Sequence, residues 1–191
     1  MAELIERPVD GVVRVWLVDL DAPFDAGVLD DEEQARAARI TRPTTARRWA
    51  ASRAALRAII GACAGLEPAQ VTLAPSGPQK PVDGLHTSLT HSAELAAIAL
   101  ALEPVGIDIE VARIVAQPER LAVRLGADAV GRLRAAAPGE ESAALLREWT
   151  RREAALKLSA EDPWLLDLEL AGASGAVAAG RPLAPVVRDW P

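Results

Sequence analysis

The sequence predicts a mixed α and β protein in which short strands and helices interleave along the chain. Three observations carry that expectation. Half of the 191 residues are hydrophobic by type and a quarter are charged, a balance that supports a buried core in one compact domain or two small lobes and excludes a disordered tail. Apolar residues alternate at period two in several short segments and recur at helical spacing in others. A succession of strand, helices and strands is followed by a second, fainter one.

Taken in order, Val12 to Asp19 places β-branched and apolar residues around Arg14 and Trp16 and reads as a strand. Asp30 or Asp31 opens a charged helix to about Ile40, its acids in the first turn where the helix dipole favours them. Pro43 restarts the chain into a long Ala-rich helix that Gly65 ends. Val71 to Ala74 reads as a short strand before the loop Pro75-Ser76-Gly77-Pro78-Gln79-Lys80-Pro81. Leu85 to Thr90, Leu95 to Leu102 and Val105 to Glu110 follow as three β-like segments. From Pro118 the pattern turns helical, and its best helix spans about Glu140 to Ser159. Leu166 to Leu170 and Val186 to Arg188 are weak strand candidates on either side of the Gly- and Ala-rich stretch Ala171 to Gly180.

Composition removes several function classes. The lone Cys63, inside an apolar run, excludes an intramolecular disulfide and a thiolate zinc site and fits a reduced, cytoplasmic setting. No apolar stretch reaches the ~18 to 20 residues a membrane span needs, and the N-terminus carries acids where a signal peptide would be basic. A net charge of -6 argues against nucleic acid, and six aromatics are too few for stacking platforms. Of the 21 basic residues 19 are Arg; the two Lys are Lys80 and Lys157.

Four constellations could carry chemistry. In Val105-Gly106-Ile107-Asp108-Ile109-Glu110, strand alternation sends Asp108 and Glu110 to one face about 6.6 to 6.8 Å apart. That face is either a solvated strand end or half of an oxygen-ligand site for Mg²⁺, which takes one or two carboxylates and completes its shell with water and phosphate oxygens. In Glu148-Trp149-Thr150-Arg151-Arg152-Glu153-Ala154-Ala155-Leu156-Lys157, the pairs Glu148/Arg152 and Glu153/Lys157 have i, i+4 spacing. Trp149 and Leu156 suggest that part of this charged helix is packed. Thr87-Ser88-Leu89-Thr90-His91-Ser92 offers hydroxyls and an imidazole as phosphate ligands; no nucleophile elbow or third triad member accompanies them, so a hydrolase triad is disfavoured. Finally, Arg36, Arg39, Arg42, Arg47, Arg48 and Arg53 form a local basic cluster able to bind a polyanion, or simply the solvated face of a helix.

In this order, and above all in the combination Gly-Ile-Asp-Ile-Glu and Trp-x-x-Arg-Glu-Ala-x-x-Lys, the chain from about Asp30 to Lys157 resembles the surfactin-synthetase-type 4′-phosphopantetheinyl transferases. The resemblance implies two pseudo-symmetric lobes, about 1–103 and 104–191, each a small, mainly antiparallel sheet with packed helices. It implies a monomeric cytoplasmic enzyme that moves the phosphopantetheine arm of coenzyme A to a serine of an acyl or peptidyl carrier protein, in fatty-acid, polyketide or nonribosomal-peptide synthesis, and releases 3′,5′-ADP.

Residue by residue, Asp108, Glu110 and Glu153 would hold Mg²⁺ (or Mn²⁺) against the pyrophosphate. Glu153 would also be the base for the incoming hydroxyl. Lys157 would neutralise the phosphate in transfer. Gln79, Lys80, Thr90 and His91, with Arg53 and Arg39 or Arg47, would hold coenzyme A, and Asp108 would reach it through the metal. Phosphoryl transfer needs positioning and charge neutralisation rather than a protein nucleophile, which matches this residue set.

Against the family pattern, Arg152 stands for Lys, Thr90 for Ser and Gln79 for Gly. The family's Gly-containing segment after Lys157 reads Leu158-Ser159-Ala160-Glu161-Asp162-Pro163, and the chain ends at Trp190-Pro191 where family members usually continue into further strands: either a short natural form, a trimmed terminus or a second lobe closed differently. Two other readings fit the same residues: a degenerate paralogue that binds coenzyme A or a carrier protein without transfer, and a metal-dependent phosphohydrolase.

Overall fold

Strand alternation builds the core of the computed structural model, which describes residues 6–74 and 82–191. The elements in chain order are β1 (Val12–Asp19), α1 (Asp31–Arg39), α2 (Pro43–Ala64), β2 (His86–Ser92), β3 (Leu95–Ala101), β4 (Val105–Val111), α3 (Pro118–Leu125), α4 (Ala127–Arg134), α5 (Glu141–Leu158), β5 (Trp164–Leu170), β6 (Ala173–Ala179) and β7 (Ala184–Asp189). The strands form two sheets, β2-β3-β1-β7 and β4-β6-β5. Every pairing is antiparallel except β1 with β7, which is parallel.

Each strand sends its two faces to different partners. On one face of the first sheet Trp16, Val18, Ile98 and Leu100 pack with Ala51, Leu56, Ile59 and Ile60 of α2. The opposite faces of the same strands, Val13, Val15, Ala97 and Ala99, meet Ile107, Ile109, Val177 and Ala179 of the second sheet. Ala176 and Ala178 then turn outward to Ala154 of α5. The result is four layers, α2, sheet, sheet, α5. Burying an Ile or Val in the middle layer is worth about 1.5–3 kcal/mol, so this apolar contact fixes β4 against the first sheet. The short helices α3 and α4 close over the N-terminal half of α5 through Ala122, Leu133 and Leu145. The expected architecture, two small sheets with packed helices, is met.

Three local expectations change. Ala173–Ala179, read from sequence as a Gly- and Ala-rich spacer, is the central strand of the second sheet. At Gly175 there is no room for a side chain, because a Cβ would sit 2.9 Å from Leu170 Cδ1 and 3.2 Å from Ile109 Cγ2. Val71 to Ala74 is not a strand: its carbonyls accept from guanidinium groups instead of a neighbouring strand, Val71 from Arg57 at 2.7 Å and Ala74 from Arg53 at 3.0 Å. The segment 184–189 leaves the second sheet and completes the first, beyond β1. Among the described residues no helix is long and apolar enough to cross a membrane.

Candidate active site

The site forms where β2, β4 and α5 meet. Gly106 makes that meeting possible: a Cβ there would lie 2.1 Å from the backbone oxygen of Ala154, so only glycine lets α5 rest directly on β4. One turn beyond Ala154, Lys157 reaches β4. Its Nζ donates to the Ile107 carbonyl at 2.9 Å and to Asp108 Oδ1 at 2.7 Å. From the other side Thr90 Oγ1 donates to the same Asp108 oxygen at 2.8 Å. Three residues singled out in the sequence, Thr90, Asp108 and Lys157, are thus in direct contact across three elements.

Asp108 is 7% exposed, and burial pushes its carboxyl above the ordinary range. The Lys157 ammonium and the Thr90 hydroxyl oppose that shift, while the nearby Glu110 charge reinforces it. Glu110, two residues along the same face, accepts on Oε2 from Ser92 at 2.8 Å and from Arg113 at 2.6 Å. Glu153 is half-buried and has no hydrogen-bond or ion-pair partner among the described residues.

Tertiary contacts replace the helix pairs expected from spacing. Lys157 bonds to Asp108, not to Glu153. Glu148 pairs with Arg132 at 2.6 Å and Arg151 at 3.1 Å, and Arg151 makes a two-pronged contact with Asp167 at 2.7 and 2.6 Å, tying α5 to β5. Arg152 donates instead to the Arg124 and Leu125 carbonyls at the end of α3. Trp149 and Leu156, expected to be packed, are 37% and 58% exposed. At i, i+4 and i+7 they flank Glu153 on one face of α5, because the opposite face, with Ala154, is the one that meets the sheet.

The basic cluster divides. Arg53 is buried and donates to Glu33 Oε1 at 2.6 Å, while Arg57 donates to Glu33 Oε2 at 2.7 Å. Glu33, 3% exposed, also completes the capping box of α1 with Asp30. The neighbouring Arg47 donates to the carbonyls of Leu20, Asp21 and Ala22. Arg39, by contrast, is exposed and has no hydrogen-bond or ion-pair partner among the described residues. It lines a cavity of about 360 Å³ with Arg36, Trp49, Arg53 and Leu73; the Arg36 guanidinium lies 5.2 Å from the Trp49 ring centre. His91 is exposed on the strand face it shares with Leu89, which packs into the α2 cluster. Gln79 and Lys80 lie outside the described residues.

The donor chemistry suits a hard divalent cation. Among the described residues all hydrogen bonds to Asp108 and Glu110 fall on Oδ1 and Oε2, leaving Oδ2 and Oε1 without one, and Glu153 has none there. Among the described residues no three His, Cys, Asp or Glu side chains are assembled into a metal-holding group. This donor set therefore offers a cation one or two carboxylates, with the rest of the shell to come from elsewhere. Ser88 and Ser92, read from the sequence as candidate phosphate ligands of the hydroxyl-rich strand, bond to β4 instead: Ser88 to the Ile107 N–H, and Ser92 to the Val111 N–H and Glu110. Their period-two spacing with Thr90 is the signal that the three share a face.

Comparison with known proteins bears directly on this geometry. Over 163 aligned residues the chain is 34% identical to the 4′-phosphopantetheinyl transferase HetI of Nostoc sp. (strain PCC 7120 / SAG 25.82 / UTEX 2576), covering 78% of this chain and 69% of that protein. The chain belongs to the 4′-phosphopantetheinyl transferases. No family model matches it. As a phosphopantetheinyl transferase it is an enzyme that moves a phosphopantetheinyl group.

Proposed function

We propose that this phosphopantetheinyl transferase is of the surfactin-synthetase type, takes the arm from coenzyme A in the presence of Mg²⁺, places it on a serine of an acyl or peptidyl carrier protein, and releases 3′,5′-ADP. The observation that carries this reading is the contact of Lys157 with Asp108, with Glu153 one turn earlier on the same helix and without a hydrogen-bond or ion-pair partner among the described residues. The Lys157 ammonium and the carboxylates of Asp108 and Glu110 where the two sheets meet, with Glu153 on α5, supply charge neutralisation and a proton acceptor without a protein nucleophile.

In this reading the serine hydroxyl of the carrier protein attacks the phosphorus that bears the pantetheine. The new bond is serine O–P, the bond broken is P–O to the nucleotide, and 3′,5′-ADP departs with the electron pair. Glu153 takes the serine proton. The Lys157 ammonium holds the phosphate and offsets charge on the leaving oxygen. By family likeness Asp108, Glu110 and Glu153 would hold Mg²⁺, which would neutralise the pyrophosphate; among the described residues Asp108 and Glu110 share a face of β4 and the three are not assembled into one group. Thr90 orients Asp108, His91 and Arg39 hold phosphate oxygens at the nucleotide end, and Gln79 and Lys80 are assigned there by family likeness. Arg53 and Arg47 enter as supports of that end, their donors being engaged within the protein. Trp149 and Leu156, exposed on either side of Glu153, are what the incoming carrier protein meets.

One assay separates the readings. The protein is incubated with coenzyme A, Mg²⁺ and an apo carrier protein, and the carrier is weighed by mass spectrometry. Gain of one phosphopantetheine arm is the expected result. An unchanged carrier with intact coenzyme A would identify a degenerate paralogue, and cleaved coenzyme A without an adduct a phosphohydrolase. Glu153→Gln and Asp108→Asn each nearly abolish transfer, and Lys157→Arg lowers it strongly, because a planar guanidinium cannot replace a compact ammonium on two acceptors. Near-normal turnover in any of the three refutes that residue's assignment.

A further inference from the structure

The two sheets meet at edge strands: β2 ends the first sheet and β4 the second. Adjacent edges of this kind commonly join by a backbone ladder. Here side-chain hydroxyls do the joining. Ser88 Oγ accepts from the Ile107 N–H at 3.1 Å and Ser92 Oγ from the Val111 N–H at 3.2 Å. Between them Thr90 donates to Asp108, and Ser92 donates to Glu110 Oε2 at 2.8 Å. Ser88, Thr90 and Ser92 recur at period two, so all three point to β4 from one face of β2.

The four bonds are not equivalent. Ser88 bonds only backbone. Ser92 bonds both: because its oxygen takes the Val111 N–H, its own hydrogen is aimed at Glu110. That arrangement ties the carboxylate's orientation to the register between the sheets, with no bond to Oε1 among the described residues. Thr90 donates to Asp108 Oδ1 without taking a backbone N–H, and among the described residues Oδ2 has no bond. The carboxylates of β4 are therefore held partly by the neighbouring sheet, beside Lys157 of α5 on Asp108 and Arg113, just beyond β4, on Glu110.

We infer that Ser92 is a positioning residue that orients Glu110 toward a divalent cation, within a hydroxyl seam whose member Ser88 serves the fold alone. The inference rests on the proposed role of Asp108 and Glu110 in holding that cation. Partners that orient metal ligands commonly change metal affinity by about 10- to 100-fold when removed.

The test titrates Mn²⁺ into the protein with coenzyme A present and follows free Mn²⁺ by electron paramagnetic resonance, alongside thermal melts. Ser92→Ala is expected to weaken Mn²⁺ binding about tenfold, and Ser92→Thr, which keeps the hydroxyl, to restore it. Ser88→Ala is expected to lower the melting temperature while leaving Mn²⁺ affinity within about twofold of the parent. Should Ser92→Ala fail to fold, Thr90→Val, which keeps the shape and removes only the hydroxyl, makes the same measurement at Asp108. Asp108→Asn is the control. If it weakens Mn²⁺ binding and the hydroxyl variants do not, the positioning role is wrong and the metal assignment stands. If it binds Mn²⁺ like the parent, both fall.

Discussion

Gly106→Ala is the most informative single substitution in the molecule, because its consequence is set by backbone atoms on both sides. The added Cβ would lie 2.1 Å from the Ala154 oxygen and 3.1 Å from both the Ala154 carbonyl carbon and the Leu158 nitrogen. Carbon against oxygen is essentially never seen below 3.0 Å, so α5 and β4 must separate by about 1 Å. No side chain can rotate away to spare them. A shift of that size stretches the Lys157 bonds to Ile107 and Asp108, now 2.9 and 2.7 Å, past hydrogen-bonding range. Overpacking of this kind costs about 1–3 kcal/mol of stability, and a 1 Å misplacement of catalytic groups about 100-fold in rate. We expect Gly106→Ala to fold with a lowered melting temperature and to transfer the arm about 100-fold more slowly in the carrier-protein assay. Gly175→Ala is the matched comparison: its nearest clash, 2.9 Å, is with the end of the Leu170 side chain, which can move, so its loss of transfer is smaller. If Gly106→Ala had normal stability and rate, the proposed dependence of the site on the α5–β4 contact would be refuted.

Three further predictions follow from buried groups. Glu33→Ala leaves two buried guanidinium groups, Arg53 and Arg57, without their shared carboxylate, and is expected to cost about 3–5 kcal/mol in urea denaturation; a loss under about 1 kcal/mol would show that Asp30 suffices. In chelator, burial holds the Asp108 carboxyl above its ordinary value of 3.8 in the folded protein, so its contribution to stability is full below 3.8 and declines as pH rises through the higher folded value. Melts from about pH 4 to about pH 7 should therefore show the parent losing stability relative to Asp108→Asn, and the opposite slope would mean that Lys157 outweighs burial. Cys63 is a free, buried thiol pushed up to about 11 by burial, so it should resist thiol reagents near pH 8 until the protein is unfolded, and rapid labelling of the native state would contradict its placement in the core.

Much of the site was legible in the sequence because strand alternation is a local rule. Asp108 and Glu110 had to share a face, and Ile107 and Ile109 had to pack opposite. The helix pairs were not legible. Spacing of i, i+4 describes a helix in water, whereas Lys157 and Glu148 each found partners on other elements. Arg53 looked like an anion ligand by type, yet it sits among the buried Ala50, Ala51, Ala54 and Ala55, a setting in which a guanidinium must be satisfied from within. The strand Ala173–Ala179 escaped notice because alanine and glycine have weak strand preference; their presence reflects how little room lies between α5 and the sheet, a fact of packing that only the assembled layers reveal.

The parallel pairing of β7 with β1 bears on how the chain reaches its native state. During synthesis, β1 and its antiparallel neighbour β3 emerge early, but the edge beyond β1 waits until residues 184–189 arrive, after the whole second sheet has been made. The usual course, in which the first part of a chain finishes folding before the next appears, is closed to this protein. Contacts that join residues so distant in sequence also slow folding, since the intervening loop must be closed before they form. The early strands thus depend on β7: cutting the chain between the sheets would leave β1 with an open edge, a template for pairing with other chains, and newly made protein carries that hazard until β7 docks.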